Sequence, residues 1–318
     1  MKEHLLFCCE KWCAGTPLMG LTNNFHNMFN SFSQTQPQYN YNSLHLDESQ
    51  SVYGTAVDSV LINYVLKFKP KIIIFCLLGG SNANPQISTY QALKDLGVKL
   101  CFMWPDTADW AIPTILELGS VADLSVSWDN PTSDFHSNIN FPDTHEFLWV
   151  PQDGNFFFDD QKTIDVSFIG STSYPDRYNT LSQLVKRHNV CVRGGQRSEQ
   201  LTAEQYAEII RSSKICLNFS KSPCQKYEQT KGRVYEALRS KCLLFESSNP
   251  ATRKYLKPSV DYVEFQGLED LCTKIDFYLQ NNEKRCEIAN HGFETYCEKY
   301  SSQKFWDTVL EKLNEVHR

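Results

Sequence analysis

Short apolar segments alternate with longer amphipathic segments through the first half of the chain. Apolar runs bounded by turn residues are typical of buried strands, and apolar residues at helical spacing are typical of helices. The pattern predicts strands at 4–9, 43–46, 71–78, 98–104 and 124–128, and helices at 21–32, 52–68, 88–96 and 112–118. Alternating strands and helices favour a parallel sheet covered by helices.

A polar loop at 130–142 and a short strand at 147–150 lead to a second alternating series. It predicts strands at 164–169, 190–192, 215–219, 242–246 and 263–265, and helices at 177–187, 203–212, 232–240, 268–281, 283–299 and 303–316. We therefore predict two Rossmann-like, doubly wound parallel-sheet α/β domains that face a cleft, with ligands at the carboxyl ends of the strands. The predicted parts are an N-terminal domain at 1–155, a C-terminal domain at 156–301, and a helix at 302–318 that is a candidate to pack back on the N-terminal domain.

Composition supports a folded protein that is not embedded in a membrane. Hydrophobic residues make up 41% of the 318 positions and charged residues 21%, which excludes disorder as the main state. The longest apolar run, 72–78, is far shorter than the ~20 residues of a membrane-spanning helix. Because the N-terminus also lacks the pattern of a signal peptide, we expect a soluble, cytoplasmic protein.

The twelve cysteines are spread along the chain, without a Cys-x-x-Cys pair. Cys9 and Cys13 have no second pair of ligands at zinc-site spacing. We expect reduced thiols, most of them buried, and no structural zinc.

Charge is divided unevenly between the two halves. Residues 1–160 hold seven Lys, no Arg and 17 acidic residues, a net charge of −10, whereas residues 161–318 have a net charge of +4. The overall charge of −6 argues against generic nucleic-acid binding. A small anionic ligand on the second half fits this distribution better.

A Gly-Ser turn at Gly170 and Ser171 lies between a predicted strand and the helix that contains Arg177. Glycine lets backbone N–H groups approach a phosphate, and the start of a helix carries partial positive charge. Arg177 adds a planar, charged donor. These residues form a candidate phosphate site, although most turns of this kind are only turns.

The loop at 220–231 and the helix after it form the second candidate site. Five charged side chains occur there: Lys226, Glu228, Lys231, Arg233 and Glu236. Carboxylates accept hydrogen bonds from vicinal hydroxyls such as those of a ribose, and cations neutralise a diphosphate. The alternative is that Glu236 merely balances Arg233 or Arg239 on an exposed helix face.

These residues resemble a known family. Glu228 and Glu236 match the E-x7-E element of retaining glycosyltransferases with the GT-B fold, and Gly232-Arg-Val-Tyr-Glu-Ala-Leu resembles the R-x-[FY]-E-A segment of their CgeB-like, group 1 branch. Three further segments agree in order: Asp165-Val-Ser-Phe-Ile-Gly-Ser, residues 262–300, and Trp149-Val-Pro-Gln-Asp-Gly. The resemblance covers the second half well and the first half in outline.

The resemblance implies a hexosyltransferase that moves a sugar from a nucleoside diphosphate sugar to a glycan, protein or small-molecule acceptor. Nucleotide-sugar-binding residues would be Gly170, Ser171, Arg177, Lys226, Lys231, Arg233 and Glu236, with Glu228 facing the transferred sugar in a catalytic position. Because no D-x-D triplet is present, we expect no metal and no other cofactor, and the E-x7-E element favours retention at the anomeric carbon.

In the acceptor-side domain, Met103-Trp-Pro-Asp resembles the W-x-x-D element of the CgeB-like proteins. Asp106 is therefore a second candidate catalytic residue, which would orient or deprotonate an acceptor hydroxyl. The alternative is that Asp106 caps the helix that follows.

Two departures from the family pattern leave another function open. The chain has Arg239-Ser-Lys-Cys where the family usually has a small residue and glycine, and Lys231-Gly232 where it usually has Gly-Phe-Gly. The alternative function is a nonenzymatic two-lobed sugar or nucleotide binder, or a scaffold protein, of the same fold.

Overall fold

The computed structural model describes residues 2–12, 26–54, 57–77, 84–105, 111–128, 138–194, 201–222 and 227–315. The chain divides into two compact units. The first comprises Met1–Asn130, Asp134–Pro151 and Ser302–Arg318, and the second is built on Gln152–Ser301. The end of the chain therefore belongs to the same unit as its beginning.

The first unit contains a parallel sheet of six described strands in the order β2-β1-β3-β4-β5-β6. The strands are β1 (His4–Cys9), β2 (Asn40–His45), β3 (Ile72–Cys76), β4 (Lys99–Trp104), β5 (Leu124–Ser127) and β6 (His145–Phe147). The residues of β1, β3 and β4 are almost all buried, as expected for strands with helices on both faces.

Helices follow most of these strands. They are α1 (Ser31–Thr35), preceded by a π-helical turn at His26–Asn30, α2 (Leu46–Tyr53), α3 (Val57–Phe68), α4 (Ile87–Asp95) and α5 (Ile112–Leu118). Leu61, Tyr90 and Ile115 bring apolar side chains from three of them onto Phe75 and Phe102 of the sheet. The sequence pattern predicts this core because β3 and β4 are nearly continuous apolar runs.

The last helix, α11 (Ser302–Glu315), packs on the first unit. Trp306 is fully buried, its ring stands edge-on to Phe7 and Phe32, and its Nε1 donates to Ser31 Oγ at 2.8 Å. Near the end of the helix, Lys312 Nζ donates to Glu146 at 2.5 Å. Apolar and polar contacts together attach this helix to residues far away in the sequence.

The second unit contains a parallel sheet of five described strands in the order β11-β10-β9-β7-β8. The strands are β7 (Ile164–Ile169), β8 (Val190–Arg193), β9 (Ser213–Asn218), β10 (Leu243–Ser247) and β11 (Val263–Phe265). The helices are α6 (Pro175–Leu184), α7 (Ala203–Arg211), α8 (Gly232–Arg239), α9 (Gly267–Gln280) and α10 (Asn282–Thr295), with a π-helical turn at Tyr296–Tyr300. Two parallel α/β units confirm the predicted fold class.

The strand order of the second sheet places a topological switch point between β7 and β9. The chain passes from β7 outward to β8 and then returns to the other side of β7 to form β9. Loops leave the carboxyl ends of β7 and β9 in opposite directions, which opens a crevice where ligands bind in such sheets. Gly170 and Phe219, which follow these two strands, therefore mark the expected binding edge.

The predicted single helix at 52–68 is wrong. The structure has α2 from Leu46 and a separate α3, and Gly54 ends α2 with a φ of +57°. Asp47, in the first turn of α2, accepts the backbone N–H groups of Lys11 and Trp12. These contacts join the first turn of α2 to a segment that is distant in sequence, which local periodicity does not reveal. The strand predicted at 147–150 lies instead at His145–Phe147.

Two further expectations concern helix length and thiols. None of the helices among the described residues is long and apolar enough to cross a membrane. The ten described cysteines are all unpaired, and seven of them are buried.

Helix α8 ends in a left-handed turn at Lys241, where the resemblance predicts a glycine. Lys241 has a φ of +48°; its N–H donates to Leu238 O, and the N–H of Cys242 donates to Ala237 O. This hydrogen-bond pattern is the Schellman motif, in which glycine is the usual residue because a Cβ is strained there. The usual turn is therefore kept without the usual residue.

Backbone strain at Lys241 is testable with two substitutions that remove the same side-chain contacts. Because a left-handed L-residue costs about 1 kcal/mol relative to glycine, we expect Lys241→Gly to be more stable than Lys241→Ala by about that amount. Urea unfolding of the two variants measures the difference. Equal midpoints would show that Lys241 is not strained.

His145 on β6 links two strands of the first sheet. Its Nδ1 lies 2.9 Å from Ser125 Oγ, and its Nε2 lies 3.0 Å from Ser127 Oγ on β5. Trp104 Nε1 also donates to Ser125 Oγ, at 2.9 Å. Burial lowers the pKa of His145 to about 4, so the ring is neutral in the folded protein at neutral pH.

The lowered pKa of His145 predicts acid sensitivity. The unfolded chain binds a proton at this residue below about pH 6.5, whereas the folded chain does not until about pH 4. His145 therefore does not lower the free energy of unfolding above about pH 6.5. As the pH falls below that value, the free energy of unfolding decreases by up to about 1.4 kcal/mol per pH unit.

Calorimetry at pH 7, 6 and 5 should show a smaller drop in unfolding temperature for His145→Gln than for the wild-type chain. His291→Gln is the control, because that side chain is 56% exposed. If all three proteins lose stability in parallel, the assignment to His145 is wrong.

Candidate functional site

The turn after β7 needs a glycine. Gly170 has a φ of +148°, and its N–H donates to Arg193 O at 2.9 Å. A Cβ at this position would lie 3.2 Å from Nη2 of Arg233. The guanidinium group of Arg233, from the first turn of α8, therefore packs directly against the backbone of this turn.

A second arginine lies in the same place. Arg177, from the first turn of α6, is buried, and its Nη1 donates to Ser171 O at 2.8 Å. Both guanidinium groups stack on the ring of Phe168, with Arg177 Cζ 5.6 Å and Arg233 Cζ 5.4 Å from its centroid. Phe168, near the end of β7, thus contacts two positively charged groups that lie close together.

Both arginines keep an unused donor. The Nε atoms of Arg177 and Arg233 are buried and have no hydrogen-bond partner in the described part of the chain. Burial, followed by the charge of Arg233, lowers the pKa of Arg177 to about 10, which still leaves it charged at neutral pH. Buried donors on two like charges favour an anion with several acceptor oxygens.

Glu236 on α8 is buried, with 4% of its surface exposed. Tyr206 on α7 donates its hydroxyl to Glu236 Oε2 at 2.5 Å. Burial raises the pKa of Glu236, and the charge of Arg233 and the hydrogen bond from Tyr206 offset part of that rise. The alternative of an ion pair on an exposed helix face is therefore wrong, because this carboxylate lies in the interior beside Arg233.

Tyr206 reaches Glu236 because α7 has a well-defined start. Thr202 and Gln205 form a capping box, in which each side chain bonds the backbone of the other residue. The helix then places Tyr206 and the buried Ala207 and Ile210 toward the second unit's interior. Sequence analysis missed Tyr206, because nothing local marks a tyrosine that contacts the next helix.

A second buried carboxylate, Glu246, is the last residue but one of β10 and lies beside Asn218 at the end of β9. It is fully buried and accepts Asn218 Nδ2 at 2.7 Å, while Asn218 Oδ1 accepts Arg233 Nη1 at 3.1 Å. Burial raises the pKa of Glu246 to about 7. Sequence analysis missed Asn218 and Glu246, although a polar residue at the carboxyl end of an apolar strand is a signal that would have found them.

Glu228 and Lys231 lie in the loop before α8. Glu228 forms an isolated antiparallel bridge with Lys221 and lines a pocket of about 220 Å³. Arg177, Tyr174 and the side of α6 line the same pocket, but Gly170, Arg233 and Glu236 are not among its described lining residues. Lys231 immediately precedes α8, and its charge acts on Glu246.

The structure thus brings together Gly170, Ser171, Arg177, Arg233 and Glu236 from the predicted set. Glu228 shares a pocket with Arg177 alone of these residues. Asp106 and Lys226 lie outside the described residues. Across the described residues, no group of three or more His, Cys, Asp or Glu side chains is arranged to hold a metal ion.

The profile of a protein family described as glycosyl transferase-like matches residues 155–311. HepE from Anabaena, in complex with UDP and glucose, superposes with a TM-score of 0.63 at 9% identity, over 98% of this chain and 100% of that one. A glycosyltransferase from Rickettsia africae gives 0.59 at 10% identity over the whole of both chains. Sucrose-phosphate synthase from Thermosynechococcus elongatus gives 0.59 at 10% identity, over 98% of this chain and 99% of that one.

Residues 155–311 belong to this glycosyl transferase-like family, and the chain has the GT-B fold. The identities with the three solved structures show the fold alone, and no curated protein matches the chain in sequence. The match to the family spans most of the second unit, which holds the two arginines and Glu236. The predicted fold family is confirmed.

In this glycosyltransferase-like protein, the arginine pair should bind a diphosphate group. We expect inorganic pyrophosphate to raise the unfolding temperature, since a ligand at 100 times its Kd stabilises the folded state by about 2.7 kcal/mol. Gly170→Ala should abolish the rise, because the new Cβ strains the turn and displaces Arg233.

Gly97→Ala is the matched control for this measurement. Gly97 also has a positive φ, +78°, but no atom lies within 4 Å of its added Cβ and it belongs to the first unit. This variant should lose stability and keep the pyrophosphate effect. A full effect in Gly170→Ala would contradict an anion site at the turn.

Proposed function

We propose that this protein transfers a hexose from a nucleoside diphosphate sugar to an acceptor, with the donor bound on the second unit. The observation that carries the proposal is the pair of buried arginine Nε atoms beside the Gly170 turn, for which the described residues offer no hydrogen-bond partner, together with a buried carboxylate on the same helix as Arg233. A diphosphate supplies acceptor oxygens for the arginines. The ribose hydroxyls supply donors for the carboxylate.

Charge development explains why such a site favours sugar transfer. When the bond between the anomeric carbon and the phosphate oxygen breaks, negative charge grows on the leaving diphosphate. Fixed guanidinium groups that already point at that position stabilise the transition state without reorganising. Arg177 and Arg233 are held in this way by Phe168, Ser171 and Asn218.

Glu236 fits the role of ribose ligand. Tyr206 occupies its Oε2, and no described residue bonds its Oε1. That oxygen is free to accept from a hydroxyl of the donor. HepE binds UDP together with glucose, and in another crystal UDP-glucose, which supports uridine and a hexose as the first donor to test.

The finer parts of the proposal rest on the family resemblance. They are retention at the anomeric carbon, independence of a metal ion, and an acceptor on the first unit with Asp106 as its base. A cytoplasmic location is proposed as well, from the composition of the chain. Stereochemistry of the product, activity in the presence of EDTA and the rate of Asp106→Asn test three of them separately.

The decisive experiment measures binding and turnover of UDP-, GDP- and ADP-sugars by the wild-type chain and by Glu236→Gln. Loss of a charge-assisted hydrogen bond should weaken donor binding by about tenfold. Glu208→Gln is the control, since Glu208 is an exposed carboxylate on the neighbouring helix α7.

Each outcome separates the candidate functions. Slow hydrolysis or transfer of a sugar supports the enzyme, whereas saturable binding with no turnover supports the nonenzymatic binder. Lack of binding to every nucleotide sugar would favour a scaffold protein. Equal donor affinity of Glu236→Gln and the wild-type chain would contradict the proposed ribose contact.

A further inference from the structure

Glu246 uses both carboxylate oxygens to accept side-chain amide groups. Asn218 Nδ2 donates to Oε2 at 2.7 Å, and Asn249 Nδ2 donates to Oε1 at 3.0 Å. An ionised carboxylate can only accept hydrogen bonds, whereas an amide has a donor end and an acceptor end. Glu246 therefore accepts the NH₂ end of each asparagine, and this contact determines which end of Asn218 points at it.

This orientation determines what Asn218 presents on its other side. With Nδ2 directed at Glu246, Oδ1 faces Arg233 and accepts from its Nη1 at 3.1 Å. If the amide were reversed, its NH₂ group would face the guanidinium, and two donors would oppose each other. The hydrogen bond to Arg233 thus depends on a carboxylate that does not contact Arg233 through any hydrogen bond of its own.

Asn249 fixes the other end of the network. Its Nδ2 also donates to Gln229 O at 3.1 Å, and its Oδ1 accepts the N–H of Ala251 at 2.9 Å. Asn249 is therefore oriented by the backbone independently of Glu246. Since its donor end is committed, Glu246 must remain an acceptor on that side.

We propose that Glu246 is a positioning residue for donor binding: through Asn218 it holds the guanidinium group of Arg233 against the Gly170 turn, where the diphosphate binds. The inference rests on the proposed function, because it gives Arg233 a diphosphate to bind. In this role Glu246 acts through Asn218 and does not itself contact the nucleotide sugar.

A purely structural role explains less well why a carboxylate, and not an apolar side chain, occupies this buried position. Leu243, Leu244 and Phe245 precede Glu246 on β10 and are all fully buried, so the environment disfavours a charge. Burial raises the pKa of Glu246 to about 7, and the two amides, Lys231 and Arg233 act in the opposite direction.

Protonation of Glu246 would reverse the network. A protonated carboxyl carries an O–H donor, which needs an acceptor. The groups that face it are the amides of Asn218 and Asn249, the cations of Lys231 and Arg233, and Tyr262, whose pKa is raised partly by Glu246. Asn218 is the one of these amides that can turn its oxygen to Glu246, and it then loses Arg233.

The test uses the whole chain and UDP-glucose as the probe, with calorimetric titration at pH 8. Glu246→Gln keeps the shape of the side chain but places an NH₂ group against one of the two asparagine donors. Asn218 must then turn, and we expect the Kd for UDP-glucose to rise about tenfold.

Exchanging the carboxylate at position 246 with the amide at position 218 should restore binding of UDP-glucose. In the double variant Asn218→Asp with Glu246→Gln, the aspartate accepts from both Arg233 and the new glutamine, whose oxygen accepts from Asn249. The chain of donors and acceptors is complete again, and the net charge equals that of the wild type. We expect a Kd within about threefold of the wild-type value, because no donor is left opposed.

The outcomes are distinguishable. Weak binding by Glu246→Gln with recovery in the double variant supports the inference. Wild-type affinity in Glu246→Gln, or equally weak binding by both variants with unchanged unfolding temperatures, overturns it while the proposed function stands. If the wild-type chain does not bind UDP-glucose, the proposed uridine donor fails and the inference fails with it.

The wild-type chain carries the test if Glu246→Gln does not fold. Both phosphates of UDP-glucose stay ionised between pH 8 and 6, so the ligand itself does not titrate. Its Kd should rise as the pH falls through about 7, the pKa of Glu246. A Kd that is constant or decreases over this range overturns the inference.

Discussion

The packing of two guanidinium groups on the ring of Phe168 is the interaction on which the second unit's chemistry depends. Like charges at this separation repel, and burial of Arg177 increases that cost. The protein offsets this cost with hydrogen bonds that Arg177 donates to Ser171 O and Arg233 donates to Asn218 Oδ1, and with the nearby carboxylate of Glu236. What remains is a concentrated positive charge with unused donors, which an anion complements.

The parallel sheet explains why these groups meet. Most residues of strands β7, β9 and β10 are buried because helices cover both faces, and the polar residues of the site lie where these strands end. Gly170, Asn218 and Glu246 occupy that edge on three strands, and strand register sets Asn218 directly beside Glu246. The switch point between β7 and β9 then leaves room for a ligand above them.

Local pattern is sufficient for most of the elements and for part of the site. Strands such as β3 and helix α5 follow from apolar runs and from Pro and Gly signals, and Gly170, Arg177 and Arg233 stand at recognisable strand-to-helix junctions. Tyr206 and Glu246 act through contacts between elements that are distant in sequence. The separate start of α2 was missed for the same reason, because Asp47 bonds a loop about 35 residues earlier.

The excess of positive charge in the second half also has a structural meaning. Arg187, Arg211 and Arg253 each pair with a carboxylate, so these cations are neutralised locally. Arg177 has no carboxylate partner in the described part of the chain, and Arg233 shares Glu236 with Tyr206. Net charge alone cannot locate an anion site, because a cation that is paired with a carboxylate attracts an anion only weakly. Arg177 and Arg233 mark the Gly170 turn as the candidate anion site because both keep a buried Nε donor beside it, and Asn218, which donates to Glu246, orients Arg233.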